Sequence, residues 1–346
     1  MKKILAIAII IIIAGIVLIL IFPQEEVVNQ KQTQSVPELR VAFIGDQNLG
    51  PDTIAVLELI KNERTQMVLH QGDFDYTDDP DKWDRMISNV LGSDFPLFAS
   101  IGNHDVEAWS GYQEKLYDRL KKNPDAVCNG DLGVKSSCTY HGLFFILVAP
   151  GITGSGYDSF IEEQLSNTDY TWRICSWHYD MNIVQKNSTP NESGWEIYDA
   201  CKNGGAIIAN AHKHFYSRTK TLIDIKNQIV DPEWPNPDKL RVKEGATFVF
   251  VSALGGASIH SENTGISGGL FVTQDRWEKI YCNYLDLCKM DDRWGSIYTA
   301  DQDATHGALF CTFNAEGQPN KANCYFKNIN GKIIDEFTVT NFVGNA

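Results

Sequence analysis

Several absences narrow the chemistry open to this chain of 346 residues. It has no Cys-x-x-Cys pair, which argues against a structural zinc frame built from its eight cysteines. It has no long run of Lys and Arg, and 30 basic against 44 acidic residues give a formal charge of −14. So acidic a surface repels phosphate backbones, so nucleic-acid binding is not expected. Any polyanionic substrate then needs local positive charge, for instance from metal ions. There is no internal repeat, and no second apolar run matches the one at the N-terminus. With 43% hydrophobic and 21% charged residues, the chain is neither disordered nor fibrous and can bury a large core.

The single long apolar run, Ile4 to Phe22, is broken only by Gly15. At about 1.5 Å rise per residue it nearly spans a hydrocarbon core. Lys2 and Lys3 precede it, and positive flanks stay cytoplasmic, so the rest of the chain is expected to face outward. The rival reading is a cleaved signal peptide and a secreted protein. Such peptides have a shorter apolar region and a small-x-small site, which Ile21-Phe22-Pro23-Gln24 does not offer. Residues 1–23 are therefore expected to be a transmembrane signal-anchor and 24–37 a polar tether. Cysteines at 128, 138, 175, 201, 282, 288, 311 and 324 fit an oxidising compartment, with sequential pairing expected. Two glycosylation sequons, Asn187-Ser188-Thr189 and Asn191-Glu192-Ser193, mark 185–194 as a surface loop.

From Leu39 onward, short apolar runs recur at 39–45, 66–72, 96–102, 143–149, 172–177 and 205–210. Between several of them, 53–62, 81–91, 112–122, 158–166 and 194–202 carry apolar residues at helical spacing. This alternation predicts βα units and a largely parallel sheet covered on both faces. After 210 the chain turns strand-rich, at 216–225, 247–253, 307–313, 323–328 and 332–339. The last two are joined by Asn330-Gly331, a hairpin signal. That half predicts a second, more antiparallel sheet packed on the first. Residues 258–305 show little periodicity and read as an insertion, with an aromatic stretch around Trp277, Tyr281, Tyr284 and Trp294.

Chemistry is concentrated where the strands run out. The first ends in Gly45-Asp46-Gln47-Asn48, the second in Gly72-Asp73-Phe74-Asp75-Tyr76 and the third in Gly102-Asn103-His104-Asp105. The fifth reaches His178, and the sixth Ala211-His212-Lys213-His214. Ligands in open α/β sheets bind at carboxyl ends of strands, so these loops should converge. Carboxylates, imidazoles, a carboxamide and a phenol are hard and borderline metal ligands, more numerous than one ion needs. Two ions about 3.5–4 Å apart would use them all in a hydrolytic centre. Each block has a plainer reading: Asp46 and Asp73 as helix caps, Gly102-Asn103 as a turn, His178 as a core histidine. Five in order, each after a strand, outweigh those readings. His212 and His214 alternate along an extended strand end and are expected to point to one side. His70, His141, His260 and His306 read as structural or surface residues, with His260 the likeliest exception because it follows Gly255-Gly256 near the sheet edge. The acidic cluster Asp75, Asp78, Asp79, Asp81 and Asp84 lacks the EF-hand pattern and reads as a solvated helix start.

This block order resembles the calcineurin-like metallophosphoesterase superfamily, and Gly72-Asp73…Tyr76 is most similar to its purple acid phosphatase branch. The resemblance covers roughly 39–260, with Gly331-Lys332…Asp335-Glu336-Phe337 similar to that branch's closing strands. It implies an α/β, two-sheet αββα sandwich over 38–346 that hydrolyses small phosphorylated substrates, phosphate monoesters first and phosphodiesters second. It implies two metal ions, Fe(III) with Fe, Zn or Mn. One would be held by Asp46, Asp73, Tyr76 and His214, and the second by Asp73, Asn103, His178 and His212, with Asp73 bridging. The ions would activate water for in-line attack on phosphorus, and His104 would protonate the leaving alkoxide with Asp105 orienting its ring. Two departures stand out. Asn48 replaces a branch-specific His or Gly, leaving it open as a weak ligand, a donor behind the ligands or a turn residue. Ala211 replaces a Gly. Asp75 is a carboxylate neighbour that could rival Tyr76. A non-catalytic binding protein on the same scaffold is the reading from another class.

Overall fold

The computed structural model describes residues 37–181, 193–261 and 292–343. The apolar run 4–22, both Asn sequon positions, Trp277, Tyr281, Tyr284 and the 282 and 288 cysteines lie outside them. Among the described residues, no helix is long and apolar enough to cross a membrane.

The chain opens with three βα units: β1 (Leu39–Ile44), α1 (Pro51–Asn62), β2 (Met67–His70), α2 (Pro80–Leu91), β3 (Leu97–Ala99) and α3 (Trp109–Leu120). Local chemistry sets the helix starts. Pro51 and Pro80 open α1 and α2, and Asp79 caps α2 by accepting the Lys82 N–H. Next come a hairpin of β4 (Val127–Asp131) and β5 (Lys135–Tyr140), then β6 (Leu143–Val148), α4 (Tyr157–Ser166), β7 (Trp172–Ser176), α5 (Trp195–Asn203) and β8 (Ile207–Asn210). The remaining strands are β9 (Tyr216–Thr219), β10 (Leu222–Asp224), β11 (Ile229–Val230), β12 (Lys239–Val242), β13 (Val249–Ser252), β14 (Trp294–Tyr298), β15 (Gly307–Phe313), β16 (Lys321–Asn328) and β17 (Ile333–Asn341).

These strands form two large sheets, but not the division into halves that the sequence suggested. One has the order β12-β17-β16-β15-β1-β2-β3 and the other β14-β9-β13-β8-β7-β6-β5-β4, with β10-β11 a separate pair. The six early runs are thus split three and three. The β4–β5 hairpin intervenes, and β6 pairs antiparallel to β5, starting the second sheet. Both sheets are mixed: in the first, β15, β16 and β17 pair antiparallel at the centre while β1-β2-β3 and β12-β17 are parallel at its edges, and in the second, β6, β7, β8 and β13 are parallel at the centre with antiparallel flanks. Strand β14, at the end of the stretch read as an insertion, pairs with β9.

Phe43 meets Phe250 and Trp172 meets Phe313 between the sheets, with ring centroids 5.1 and 4.9 Å apart. Helices α1–α3 cover the outer face of the first sheet and α4–α5 that of the second. The result is an αββα sandwich. Disulfides Cys128–Cys138, Cys175–Cys201 and Cys311–Cys324 follow the sequential pairing, the second tying α5 to the strand that leads to His178.

Candidate metal centre

Five loops meet at the carboxyl ends of β1, β2 and β3 from one sheet and β7 and β8 from the other. Their backbones leave the strands abruptly. Asp46, Asp73, Tyr76 and His212 have φ of 56°, 60°, 57° and 72°, a left-handed region that non-glycine residues seldom adopt. Such strain persists where surrounding structure enforces it and concentrates at functional sites. The expectation that His212 and His214 share one side of an extended strand is therefore corrected. β8 ends at Asn210, and the His212 backbone turns left-handed so that its N–H reaches Asp46 Oδ2 at 3.0 Å. The two imidazoles consequently face different neighbours.

Close backbone approach brings the second and third loops together. A Cβ on Gly102 would lie 2.1 Å from Asp73 Oδ1, and one on Gly72 would lie 2.6 Å from Gly102 N. The fully buried Asp105 ties the same loops. Its Oδ2 accepts from Gly102 N at 2.7 Å and Asp73 N at 2.9 Å, and its Oδ1 from Phe74 N at 2.8 Å. Burial, then the Asp73 charge, push this carboxyl up to about 7 against those three donors. Its oxygens are spent on backbone amides, in contrast to the ring-orienting role expected for it. Asn48 is likewise a loop clamp: its Oδ1 accepts from Gly50 N at 2.6 Å and Thr53 Oγ1 at 2.9 Å, while its Nδ2 donates to Gly256 O at 2.5 Å. Asp75, buried rather than solvated, accepts from Thr77 N and Asp79 N ahead of α2. Ala211 fits against Gly45, whose own Cβ would come within 2.6 Å of the Ala211 Cβ.

Two groups of acceptor atoms result. In the first, Tyr76 Oη lies 2.9 Å from His214 Nε2 and 3.2 Å from Asp46 Oδ1, and His214 Nε2 lies 3.3 Å from Asp46 Oδ1. In the second, His178 Nε2 lies 3.0 Å from Asn103 Oδ1, 3.2 Å from His212 Nδ1 and 3.4 Å from Asp73 Oδ2. Asp73, His178 and His212 gather their ligand atoms within 4.8 Å. Ligands at about 2.0–2.2 Å from an ion sit roughly 3 Å from one another, so both groups have coordination dimensions.

Proton placement supports that fit. His178 Nδ1 faces the Gln71 carbonyl at 2.8 Å, and His214 Nδ1 faces the Ser258 carbonyl at 2.5 Å. A carbonyl only accepts, so each Nδ1 carries a proton and each neutral ring turns its Nε2 lone pair into the acceptor group, the tautomer a metal needs. Without a cation the group answers by holding protons. Burial would lower the His178 imidazole, but the Asp73 carboxylate outweighs it and raises it to about 10. Burial would likewise raise Asp73, yet His178 holds it below the usual carboxylate range. Burial, then the charges of Asp46 and Asp73, push the Tyr76 phenol far up. Asp73 thus acts on both groups.

His104 differs from the rest. Its backbone N–H donates to Asp73 Oδ1 at 2.9 Å, while its exposed imidazole packs on the Tyr76 ring with centroids 4.5 Å apart. The Gln71 and Ser258 carbonyls carry no residue-type signal, which is why sequence reasoning passed over them. His260 stacks on His214, with ring centroids 4.1 Å apart and ring planes at 11°.

Seven side chains able to bind metal thus gather at the strand ends of a two-sheet sandwich. The chain belongs to the calcineurin-like phosphoesterase family, whose sequence model matches residues 39–216. No curated protein matches it significantly in sequence. Its fold is similar to that of purple acid phosphatase PPD1 from yellow lupin (Lupinus luteus) seeds, with TM-score 0.59 and 16% identity. That match covers 88% of this chain and 54% of the lupin chain, so the chain spans about half of its relative. PhoD (TM-score 0.52, 13% identity, 89% of this chain and 70% of that one) and Plasmodium GAP50 (TM-score 0.51, 14% identity, 88% and 89%) are also similar.

Proposed function

We propose that this protein hydrolyses phosphate monoesters at a dinuclear metal centre outside the cytoplasm. The observation that carries the reading is the pair of acceptor groups, each with a histidine whose other nitrogen is fixed by a backbone carbonyl. Asp46, Tyr76 and His214 would hold one ion, and Asn103, His178 and His212 the other, with Asp73 shared. A phenol among the ligands favours Fe(III) in the first position, with Fe, Zn or Mn in the second. When bound, two such ions activate water and neutralise phosphoryl oxygens.

The chain's own residues do the rest. His104 is exposed beside Tyr76, able to meet substrate, and would protonate the departing alkoxide. Asp105 acts as a positioning residue, holding the Asp73 and Asn103 loops in register through three backbone amides. Gln71 and Ser258 keep protons on the outer nitrogens of His178 and His214. Three disulfides support an oxidising compartment, and the apolar run 4–22 supports tethering to the cell membrane, with secretion the alternative.

A phosphodiester substrate, of nucleotide or lipid-headgroup type, is the second enzymatic reading. Hydrolysis of p-nitrophenyl phosphate and bis-p-nitrophenyl phosphate by the metal-loaded protein separates them. A faster monoester reaction is expected, and a much faster diester reaction would reverse the order. GAP50 is described as an anchor in the inner membrane complex of Plasmodium, so the scaffold also invites a binding reading. The complete donor set favours catalysis. Protein that takes up no metal and gains no activity on metal addition would favour binding.

A further inference from the structure

Most histidines outside the two acceptor groups are committed to the protein. His306 has Nε2 2.7 Å from the Ala257 carbonyl and Nδ1 3.7 Å from Asp52. His141 lies 3.6 Å from Asp125, and buried His70 accepts from Gly72 N at 3.0 Å. Two rings differ. Neither His104 nor His260 has a ring nitrogen hydrogen-bonded to another of the described residues, and neither ring is sealed from solvent.

Their placement is parallel in a second way. His104 packs on Tyr76 with centroids 4.5 Å apart, and His260 stacks flat on His214 at 4.1 Å and 11°. Tyr76 and His214 are joined at 2.9 Å. The four rings therefore form a continuous contact series with two donor residues inside and, at each end, an imidazole with no ring hydrogen bond to another described residue. His260 is held there by main chain: its N–H donates to the His214 carbonyl at 2.9 Å, and its own carbonyl accepts from Ala300 N at 3.0 Å. Fixing the backbone on both sides while leaving the ring nitrogens without a hydrogen bond to any other described residue suits a group that meets a ligand.

We propose that His260 is a second substrate-contacting imidazole, donating a ring N–H to an oxygen of the bound phosphoryl group from the His214 side of the centre, as His104 approaches from the Tyr76 side. This rests on the phosphoesterase reading given above. A bound phosphoryl group presents several anionic oxygens, and donors that reach those not facing metal strengthen binding. In a chain of charge −14, such donors carry more of the task.

The test measures binding of inorganic phosphate to metal-loaded full-length protein by equilibrium dialysis, with metal content determined on the same samples. His260→Phe keeps a flat ring on His214 but has no N–H; His260→Asn gives up the ring but keeps a donor. The expected result is about tenfold weaker phosphate binding in His260→Phe with unchanged metal content, as loss of one charge-assisted hydrogen bond predicts. His260→Asn is expected to stay within about threefold of wild type, since it retains a neutral donor. Wild-type phosphate affinity in His260→Phe would overturn the proposal. So would metal loss in His260→Phe, because the ring would then serve only to hold His214. Wild-type protein that binds neither metal nor phosphate overturns the phosphoesterase reading itself, whereas wild-type binding matched by His260→Phe overturns only the role of His260.

Discussion

Two of the buried polar clusters among the described residues are built on opposite principles. Between the sheets, Arg218 reaches Asp335 with Nε–Oδ2 and Nη2–Oδ1 distances of 2.7 and 2.9 Å, Tyr216 Oη donates to the same carboxylate at 2.6 Å, and Arg218 Nη1 donates to the Pro237 carbonyl at 2.7 Å. Charge and hydrogen bonds close within the protein. At the strand ends, buried Asp46 and Asp73 face imidazoles and a phenol whose lone pairs point at one another. That arrangement closes only with protons or with metal. A buried ion pair that is complete sets a structure; one that lacks its cation sets a binding site.

The largest expected effect breaks the incomplete cluster. Asp73→Ala should abolish binding of at least one metal and lower turnover by about a thousandfold or more, since a metal supplies several kcal/mol of charge stabilisation. Metal analysis and single-turnover rates check this. His104→Ala should retain both metals and lower turnover by about 10²–10⁴-fold, the usual range for a general acid. Unchanged turnover would contradict its role. In the complete cluster the effect is on stability. Arg218→Met strands Asp335 and should cost about 3–5 kcal/mol in denaturant unfolding, whereas Arg218→Met with Asp335→Leu should recover most of that loss.

Proton linkage sharpens the same contrast. In metal-free protein His178 is raised to about 10, above its ordinary value near 6.5. Its contribution to stability is therefore full below about pH 6.5 and is lost as pH rises through about 10. Asp73 is shifted the other way, so its contribution is present above the ordinary carboxylate range and lost as pH falls below it. Metal must displace the His178 proton, so metal affinity should rise with pH across 7 to 9 and binding should release a proton. Calorimetry in buffers of different ionisation enthalpy measures that release. The smallest effect belongs to Asn48→Ala: loss of loop hydrogen bonds should cost about 1 kcal/mol, with metal stoichiometry unchanged.

Sequence patterns made the βα alternation and the polar strand ends legible because apolar runs and punctuating glycines are local signals. Partition of strands between sheets was not legible, since alternation says which residues are buried but not against which sheet. The β4 strand, with mostly exposed residues, carries no apolar run to betray it. The donor residues could be read from residue type. Their grouping came from the family resemblance and not from spacing, which does not foresee the left-handed turn at His212. The carbonyls of Gln71 and Ser258 belong to the main chain and leave no mark in side-chain identity.

The central claim is that the strand-end cluster is completed by two metals, one of them on Tyr76. Metal analysis together with a visible absorption spectrum of the purified full-length protein, alongside Tyr76→Phe, tests it most directly. Two equivalents including iron are predicted, with a broad visible band from the phenolate that vanishes in Tyr76→Phe. Folded protein that takes up no metal at neutral pH would contradict the claim, and a band that survives in Tyr76→Phe would remove Tyr76 from the ligand set.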